Sequence, residues 1–450
     1  MLTLGPVKIG HPVNVTPRNL LKRAWARIRP RRADVTVVPK ADDQGKWTRD
    51  LAELLCELGG LLVSAGAITA DVEGAISDVA ARYGVRARSF IVPTGVIVRV
   101  GDGGDEVVDF TPAIPDSLQL GQIQALYSLV ETLREQSMPI GEAREALGEV
   151  AGMPGRFSPV EAVAGYAVLT LGLGMIQHPT VPALLAYAAL GIAVGLVRTI
   201  AARVRIIRAA LPVVAAATVT MVARVWAGPL LHESATLMLI PPLIAFLPGT
   251  MLTMGAIELA SGAMISGMSR LAAAANVLLL LAFGILVGTS VATLAPGARS
   301  HPLLGEWAGW AGVMLLGIGF VICYSASSKL LPWLLVVLLI EHAVQVVGSN
   351  LAGPAFGAFL AGLLLPVVAY LIRRRANAPA QVLFLPSFWM LVPGSLGLQG
   401  VSELVVQQDT AGLEDLVSTI VTVLSIALGV LVGAGMVPRK RLEVGVSTTT

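Results

Sequence analysis

Charge is what this chain has least of. Only 14% of its 450 residues are Asp, Glu, Lys or Arg, against roughly 25% in ordinary soluble domains. With 55% hydrophobic residues and a mean hydropathy of +0.76, most of the chain has to face something other than water. Cysteine is nearly absent. Cys56 and Cys323 are the only two; they lie in segments of different character, so neither a disulfide nor a metal site is expected from them. A net charge of +3 is too small to point to nucleic acid. The chain does not open on an apolar stretch with a small-residue cleavage site, so no signal peptide is expected and the N-terminal region is expected to stay in the cytoplasm. Catalytic signatures are missing as well: there is no G-x-S-x-G elbow, P-loop or H-E-x-x-H. No enzyme, cofactor or metal is therefore expected. Transport without an ATP-binding motif has to draw on an ion gradient.

What charge there is sits mostly in the first 150 residues. Residues 1–46 form a basic tail. Thr16-Pro17 is a helix-opening pair, and Leu20, Leu21, Ala24, Trp25 and Ile28 share a face behind it. This segment is either an amphipathic helix lying on anionic lipid or an unstructured basic tail. Residues 47–152 are expected to fold as a small cytoplasmic α+β domain. Leu51, Leu54, Leu55, Leu58, Leu61 and Leu62 recur at helical spacing, a second helix covers 70–83, β-like runs follow at 85–92, 95–100 and 106–110, and helices close the domain at 117–136 and 140–149.

From Phe157 on, ten apolar segments follow, at 158–177, 180–197, 209–227, 236–257, 272–294, 305–324, 330–348, 353–372, 381–398 and 416–437. Several approach the ~20 residues needed to cross a bilayer. Arg198, Arg203, Arg205, Arg208, Arg270, Lys329 and Arg373 to Arg375 fall between alternate spans, Arg439, Lys440 and Arg441 follow the last, and the opposite loops carry only Arg299. By the positive-inside rule both termini lie in the cytoplasm of a multi-pass bacterial inner-membrane protein.

An offset of 145 residues carries Pro241 onto Pro386, Pro248-Gly249 onto Pro393-Gly394, Gly255 onto Gly400, Glu258 onto Glu403, Gly284 onto Gly429 and Gly288 onto Gly433. It lays the first five spans (157–297) over the last five (302–438), leaving 439–450 as a tail. An odd number of spans per half makes the repeat inverted, an architecture of secondary transporters.

Pro248, Gly249 and Thr250, with Pro393, Gly394 and Ser395, interrupt equivalent apolar segments. Broken membrane helices leave backbone groups to be satisfied by protein or by a polar cavity, so these six residues are candidate substrate ligands; the bland alternative is two packing kinks. Glu258 and Glu403, two to three turns beyond each break, and Glu341 with His342 and Gln345, late in the seventh span, are candidate proton-coupling groups. The alternatives are solvated loop residues for the first pair and a headgroup-level cluster for the second. Arg224, near the outer end of the third span, either binds an anion or snorkels.

At this point the chain resembles the bacterial threonine/serine exporters. The resemblance covers about 50–437 and rests on Leu58-Gly59 through Ser64-Ala65-Gly66-Ala67 to Asp71-Val72-Glu73, on Pro93-Thr94, and on Leu247-Pro248-Gly249. It implies proton-motive-force-driven export of threonine and serine. The rival readings are a dicarboxylate exporter, and a membrane sensor or hydrolase whose soluble domain is the active part. Substrate, protons and membrane lipid are the expected partners, and homo-oligomerisation is left open.

Overall fold

The computed structural model describes residues 44–101, 106–113, 118–136, 138–177, 180–202, 204, 210–231, 238–291, 302–376, 380–391, 393–402, 404 and 411–437. The proposed basic helix near Trp25, the loop cations Arg203, Arg205, Arg208 and Arg299, Glu403, and the tail cations Arg439, Lys440 and Arg441 lie outside them.

The N-terminal part is α+β. Helices α1 (Gln44–Ser64) and α2 (Thr69–Arg82) precede an antiparallel meander of β1 (Ala87–Val92), β2 (Gly95–Val100) and β3 (Val107–Pro112), and α3 (Leu120–Glu135) and α4 (Ile140–Ala151) follow. The leucine stripe of α1 explains its placement: Leu51, Leu54, Leu55 and Leu58 are fully buried against β2 and β3. Along β2, Val96, Val98 and Val100 point inward while Ile97 and Arg99 point out, the period-two alternation of a sheet with one covered face. The Tyr83 hydroxyl donates to the Met138 carbonyl at 2.5 Å, tying the end of α2 to the α3–α4 connection.

The remaining chain is helical: α5 (Pro159–Gln177), α6 (Val181–Ala201), α7 (Leu211–Val222), a short turn Ile240–Leu243 with a 3-10 turn Ile244–Phe246, α8 (Gly249–Ala260), α9 (Met264–Val291), α10 (Trp307–Cys323), α11 (Leu331–Ala352), α12 (Pro354–Ala376), α13 (Ala380–Leu391), α14 (Pro393–Ser402) and α15 (Ala411–Gly435). Among the described residues, six helices are long and apolar enough to cross a membrane, and the bent pair Ile240–Phe246 with Gly249–Ala260 makes a seventh candidate; Leu211–Trp226 and Trp307–Cys323 are apolar but shorter. Their outer faces are apolar too. On α6, Leu185, Ile192, Leu196 and Ile200 are exposed while Ala183, Tyr187, Leu190 and Val194 are buried. A helix apolar on both faces, sorted only by packing, suits a multi-pass membrane protein.

Sequence and structure part at several helix ends. Helix α9 begins at Met264, eight residues before the expected span, so Arg270 is a helical residue and not a loop cation. Likewise α6 runs to Ala201 and takes in Arg198. Glu414 sits in the first turn of α15, where the helix dipole favours acids.

Burial also separates the two cysteines. Cys56 is fully buried in α1, and that burial, followed by the charge of Asp109, pushes its thiol up to about 12. A raised thiol pKa leaves almost no thiolate at neutral pH. In native protein at pH 7.5, N-ethylmaleimide is therefore expected to leave Cys56 unmodified for hours while denatured protein reacts in minutes, as read by peptide mass spectrometry. Rapid labelling of native Cys56 would contradict this packing.

Candidate functional site

The first break is a backbone event. Leu247, ahead of proline, is extended at φ −67° and ψ 127°, as pre-proline sterics demand. Pro248 then caps α8 without any side-chain hydrogen bond. The axis turns by 51° between the two pieces. Pro248 and Gly249 are buried and Thr250 is half-buried. The first N–H groups of α8 have no carbonyl one turn back, which leaves a positive helix end inside the bundle. The second interruption separates α13 from α14, and Pro393, Gly394 and Ser395 form the first turn of α14. Helix α8 packs against both α13 and α14. The two interrupted segments are thus neighbours, although 145 residues separate them in sequence.

Helix α11 packs on α13 as well and carries Glu341. This carboxylate is the eleventh residue of a 22-residue helix, about 15 Å from either end at 1.5 Å per residue. It is not late in the span, as hydropathy suggested, but central, because α11 continues to Ala352. Its exposure is 3%, and among the described residues neither oxygen has a hydrogen-bond partner. The Ser387 hydroxyl of α13 stands beside it but donates to the Leu383 carbonyl at 3.1 Å. His342, next in sequence, faces elsewhere: its ring meets Trp310 of α10 edge-on at 5.0 Å. The structure therefore separates the expected Glu341–His342 pair between two helix contacts.

On the other flank of α13 lies a cation that hydropathy assigned to a loop. The Arg198 guanidinium sits 5.0 Å from the Tyr166 ring centroid and 5.5 Å from that of Tyr324, and its Nη1–H donates to Cys323 Sγ at 3.2 Å. Tyr324 stacks on Phe320 and meets Trp389 of α13 edge-on. The Tyr166 hydroxyl donates to the Pro242 carbonyl at 2.7 Å, which fixes the cage to the first broken segment. Sequence reasoning missed this group because it ended the second span at residue 197; the signal was an arginine directly continuing an unbroken apolar run. Thr253 of α8, fully buried with an unpartnered hydroxyl, was also passed over.

Glu258 has a different setting. It is 1% exposed, and all its capacity is used. One oxygen accepts from the Thr69 N–H at 3.0 Å and the Thr69 hydroxyl at 3.1 Å; the other accepts from Ser266 at 2.8 Å and Arg270 Nε at 2.9 Å. Arg270 also donates to the Ala67 carbonyl at 2.8 Å. Residue 68, at the N-cap of α2, is isoleucine and offers no cap, so the α8 carboxylate supplies one from outside. Gly66, at φ +84°, reverses the chain so that Ala67 and Thr69 both reach this clasp. Leu120 N–H donates to the Tyr324 carbonyl at 3.0 Å, a second tie between the α+β part and the helices. Arg224 lies in a π-helical turn, Ala223–Ala227, with its Nε buried and, among the described residues, unpartnered. Among the described residues no group of His, Cys, Asp and Glu has metal-binding geometry.

A threonine/serine exporter family model matches residues 53–292, and a second, described as Threonine/Serine exporter, ThrE, matches residues 310–435. The chain belongs to the threonine/serine exporter family. The first match takes in the α+β part with α5 to α9, and the second takes in α10 to α15. No curated protein and no solved structure matches the chain. The family is one of transporters and not of enzymes.

In this exporter-family chain the clasp makes a stability prediction. Glu258→Ala strands the Arg270 guanidinium, 13% exposed, and is expected to cost about 3–5 kcal/mol. Thr69→Ala is expected to cost about 1 kcal/mol. Replacing Glu258 and Arg270 together by leucine is expected to cost less than Glu258→Ala alone. Thermal unfolding of the purified variants checks this order, and equal midpoints for Glu258→Ala and wild type would refute the clasp.

Proposed function

We propose that this protein is a secondary exporter of small hydrophilic amino acids, threonine and serine, exchanging each for protons across a bacterial inner membrane. The family supports amino-acid export. The observation that carries the coupling mechanism is Glu341: a buried, unpartnered carboxylate at the middle of an apolar helix, beside an interrupted segment. An isolated charge in such a place is costly, and acids that persist there are usually part of an ion pathway. A carboxylate that holds either a proton or the ammonium of the substrate, never both, couples the two flows in opposite directions. The interrupted ends at Pro248, Gly249 and Thr250 and at Pro393, Gly394 and Ser395 form the rest of the substrate path in this reading. His342 packs behind Glu341, outside the substrate path, and Glu258 is a structural clasp. Glu403, Glu258's counterpart by the offset, lies outside the described residues and stays a candidate coupling group on the sequence alone.

The same reading takes the membrane part as ten spans in two inverted halves, 157–297 and 302–438, with the α+β domain 47–152 and both termini in the cytoplasm. Helix boundaries support it, since the 145-residue offset carries α8 onto 394–405 and α9 onto 409–436, within three residues of α14 and α15. Packing supports it more strongly. A Cβ on Gly255 would stand 3.1 Å from the Gly267 carbonyl oxygen, and one on Gly267 2.8 Å from that of Gly255; a Cβ on Gly400 would stand 2.7 Å from the Gly412 carbonyl oxygen, and Gly412 meets Gly400 in turn. The same close helix crossing recurs at positions exactly one offset apart in each half. Inverted halves that rock about a central site give alternating access.

Vesicles loaded with labelled threonine test the reading. Efflux driven by a pH gradient is expected to be uncoupler-sensitive, at least about tenfold slower in Glu341→Gln, and retained with a shifted pH profile in Glu341→Asp. Wild-type, uncoupler-sensitive efflux in Glu341→Gln would exclude Glu341 as the coupling acid. Movement of succinate without threonine would overturn the substrate.

A further inference from the structure

Arg198 has no role in the coupling scheme, and its surroundings are unusual for a topological cation. A cytoplasmic arginine normally snorkels into headgroups and water. This one turns inward. Its Cζ lies over two rings, 5.0 Å from the Tyr166 centroid and 5.5 Å from that of Tyr324, and Tyr166 is 1% exposed. Cation–π contacts hold the cation without satisfying its N–H donors. The edge carries five N–H donors in a fixed fork. Among the described residues, the hydrogen-bond partners of that fork are two neutral groups, the Cys323 thiol, a weak acceptor, and the Tyr324 hydroxyl, and no carboxylate pairs with it. A buried guanidinium held by two rings and bonded only to neutral groups still has N–H donors to offer, and its fork suits two-point recognition of a planar anion, above all a carboxylate.

The location is as informative as the chemistry. Tyr166 is bonded to Pro242 in the first broken segment, and Tyr324 touches Trp389 in α13. Two residues away in α13, Ser387 stands beside Glu341. The cation and the unpaired acid therefore border the same interrupted segment from two sides. The 145-residue offset carries Glu341 onto Leu196, two residues from Arg198, so the opposite charges come from corresponding stretches of α6 and α11. An α-amino acid carries one charge of each sign.

We propose that Arg198 is the carboxylate receptor for the exported amino acid, engaging it through the remaining N–H donors of its guanidinium as the substrate comes in from the cytoplasmic side, before the ammonium reaches Glu341. This rests on the amino-acid exporter reading and adds the residue that recognises the acid end of the substrate. It requires the carboxylate to be necessary for recognition: threoninol, which keeps the ammonium and the side-chain hydroxyl but replaces the carboxylate by a neutral alcohol, is a poor ligand.

The test uses the full chain in proteoliposomes, with labelled threonine in counterflow and unlabelled threonine or threoninol as competitor. Wild type is expected to prefer threonine over threoninol by about tenfold or more. Arg198→Gln is expected to raise the threonine KM by a similar factor and leave competition by threoninol unchanged, so that the preference largely disappears; Arg198→Lys retains part of it. An unchanged preference in Arg198→Gln, or a loss of turnover with the preference intact, would overturn the proposal. A second measurement needs no variant. Cys323, half-buried beside Arg198, is expected to be protected from N-ethylmaleimide by threonine and not by threoninol; no protection by threonine, or equal protection by both, overturns the assignment. A wild type that moves no threonine at all would instead defeat the exporter reading.

Discussion

An unpaired carboxylate in the interior of an apolar helix is the constraint around which this structure is arranged. Water is excluded from Glu341 by its burial, no cation neutralises it among the described residues, and the adjacent Ser387 hydroxyl spends its proton on its own helix. Leaving such a group unbonded costs free energy that the fold does not recover locally. The cost becomes intelligible when the group has transient partners, a proton or a substrate ammonium, which is why intramembrane acids are read as functional. The helices around it follow suit. Segment α13 brings Ser387 to one side and Trp389 to the other, α8 leans against it from the first broken segment, and Trp389 meets the tyrosine that helps clamp Arg198.

Two acids with similar sequence settings came out with opposite characters, and the difference is physical. Glu258 and Glu341 both follow apolar runs and both are almost completely buried. Glu258 receives four hydrogen bonds, one of them from a guanidinium, and holds the start of α2 in place. Among the described residues Glu341 receives none. Burial alone does not single out a candidate coupling acid; burial without compensation does. The clasp also shows how the α+β part is joined to the helices, through a backbone N–H, a hydroxyl and a carbonyl supplied by the short turn from Gly66 to Thr69.

Much of this was legible in the sequence because periodicity is a local property. The leucines of α1, the alternating valines of β2 and the apolar runs from Phe157 onward declare their elements within a single window. The Pro-Gly interruptions also declared themselves, since proline removes a donor wherever it stands. What hydropathy misread were charged residues near helix ends. Arg198 and Arg270 look like loop cations because a window average falls at each of them, yet both are helical, one sheltered by tyrosines and one neutralised by Glu258. Their partners come from 125 and 12 residues away, and Thr69 lies 189 residues from Glu258; no local window sees such contacts. Glu341 was placed late in its span for the same reason: the polar residues after it lowered the average while α11 continued to Ala352.

The central claim is that one carboxylate is shared between proton and substrate. Thermodynamic linkage makes this directly measurable, because a ligand that displaces a proton must release it to the solvent. Purified protein in weakly buffered detergent solution with a pH-indicating dye, titrated with threonine, reports that release. Release of about one proton per threonine bound by wild type, and of none by Glu341→Gln, is the result expected for a single shared acid. Threonine binding without proton release in wild type, or with equal release in both proteins, would contradict it.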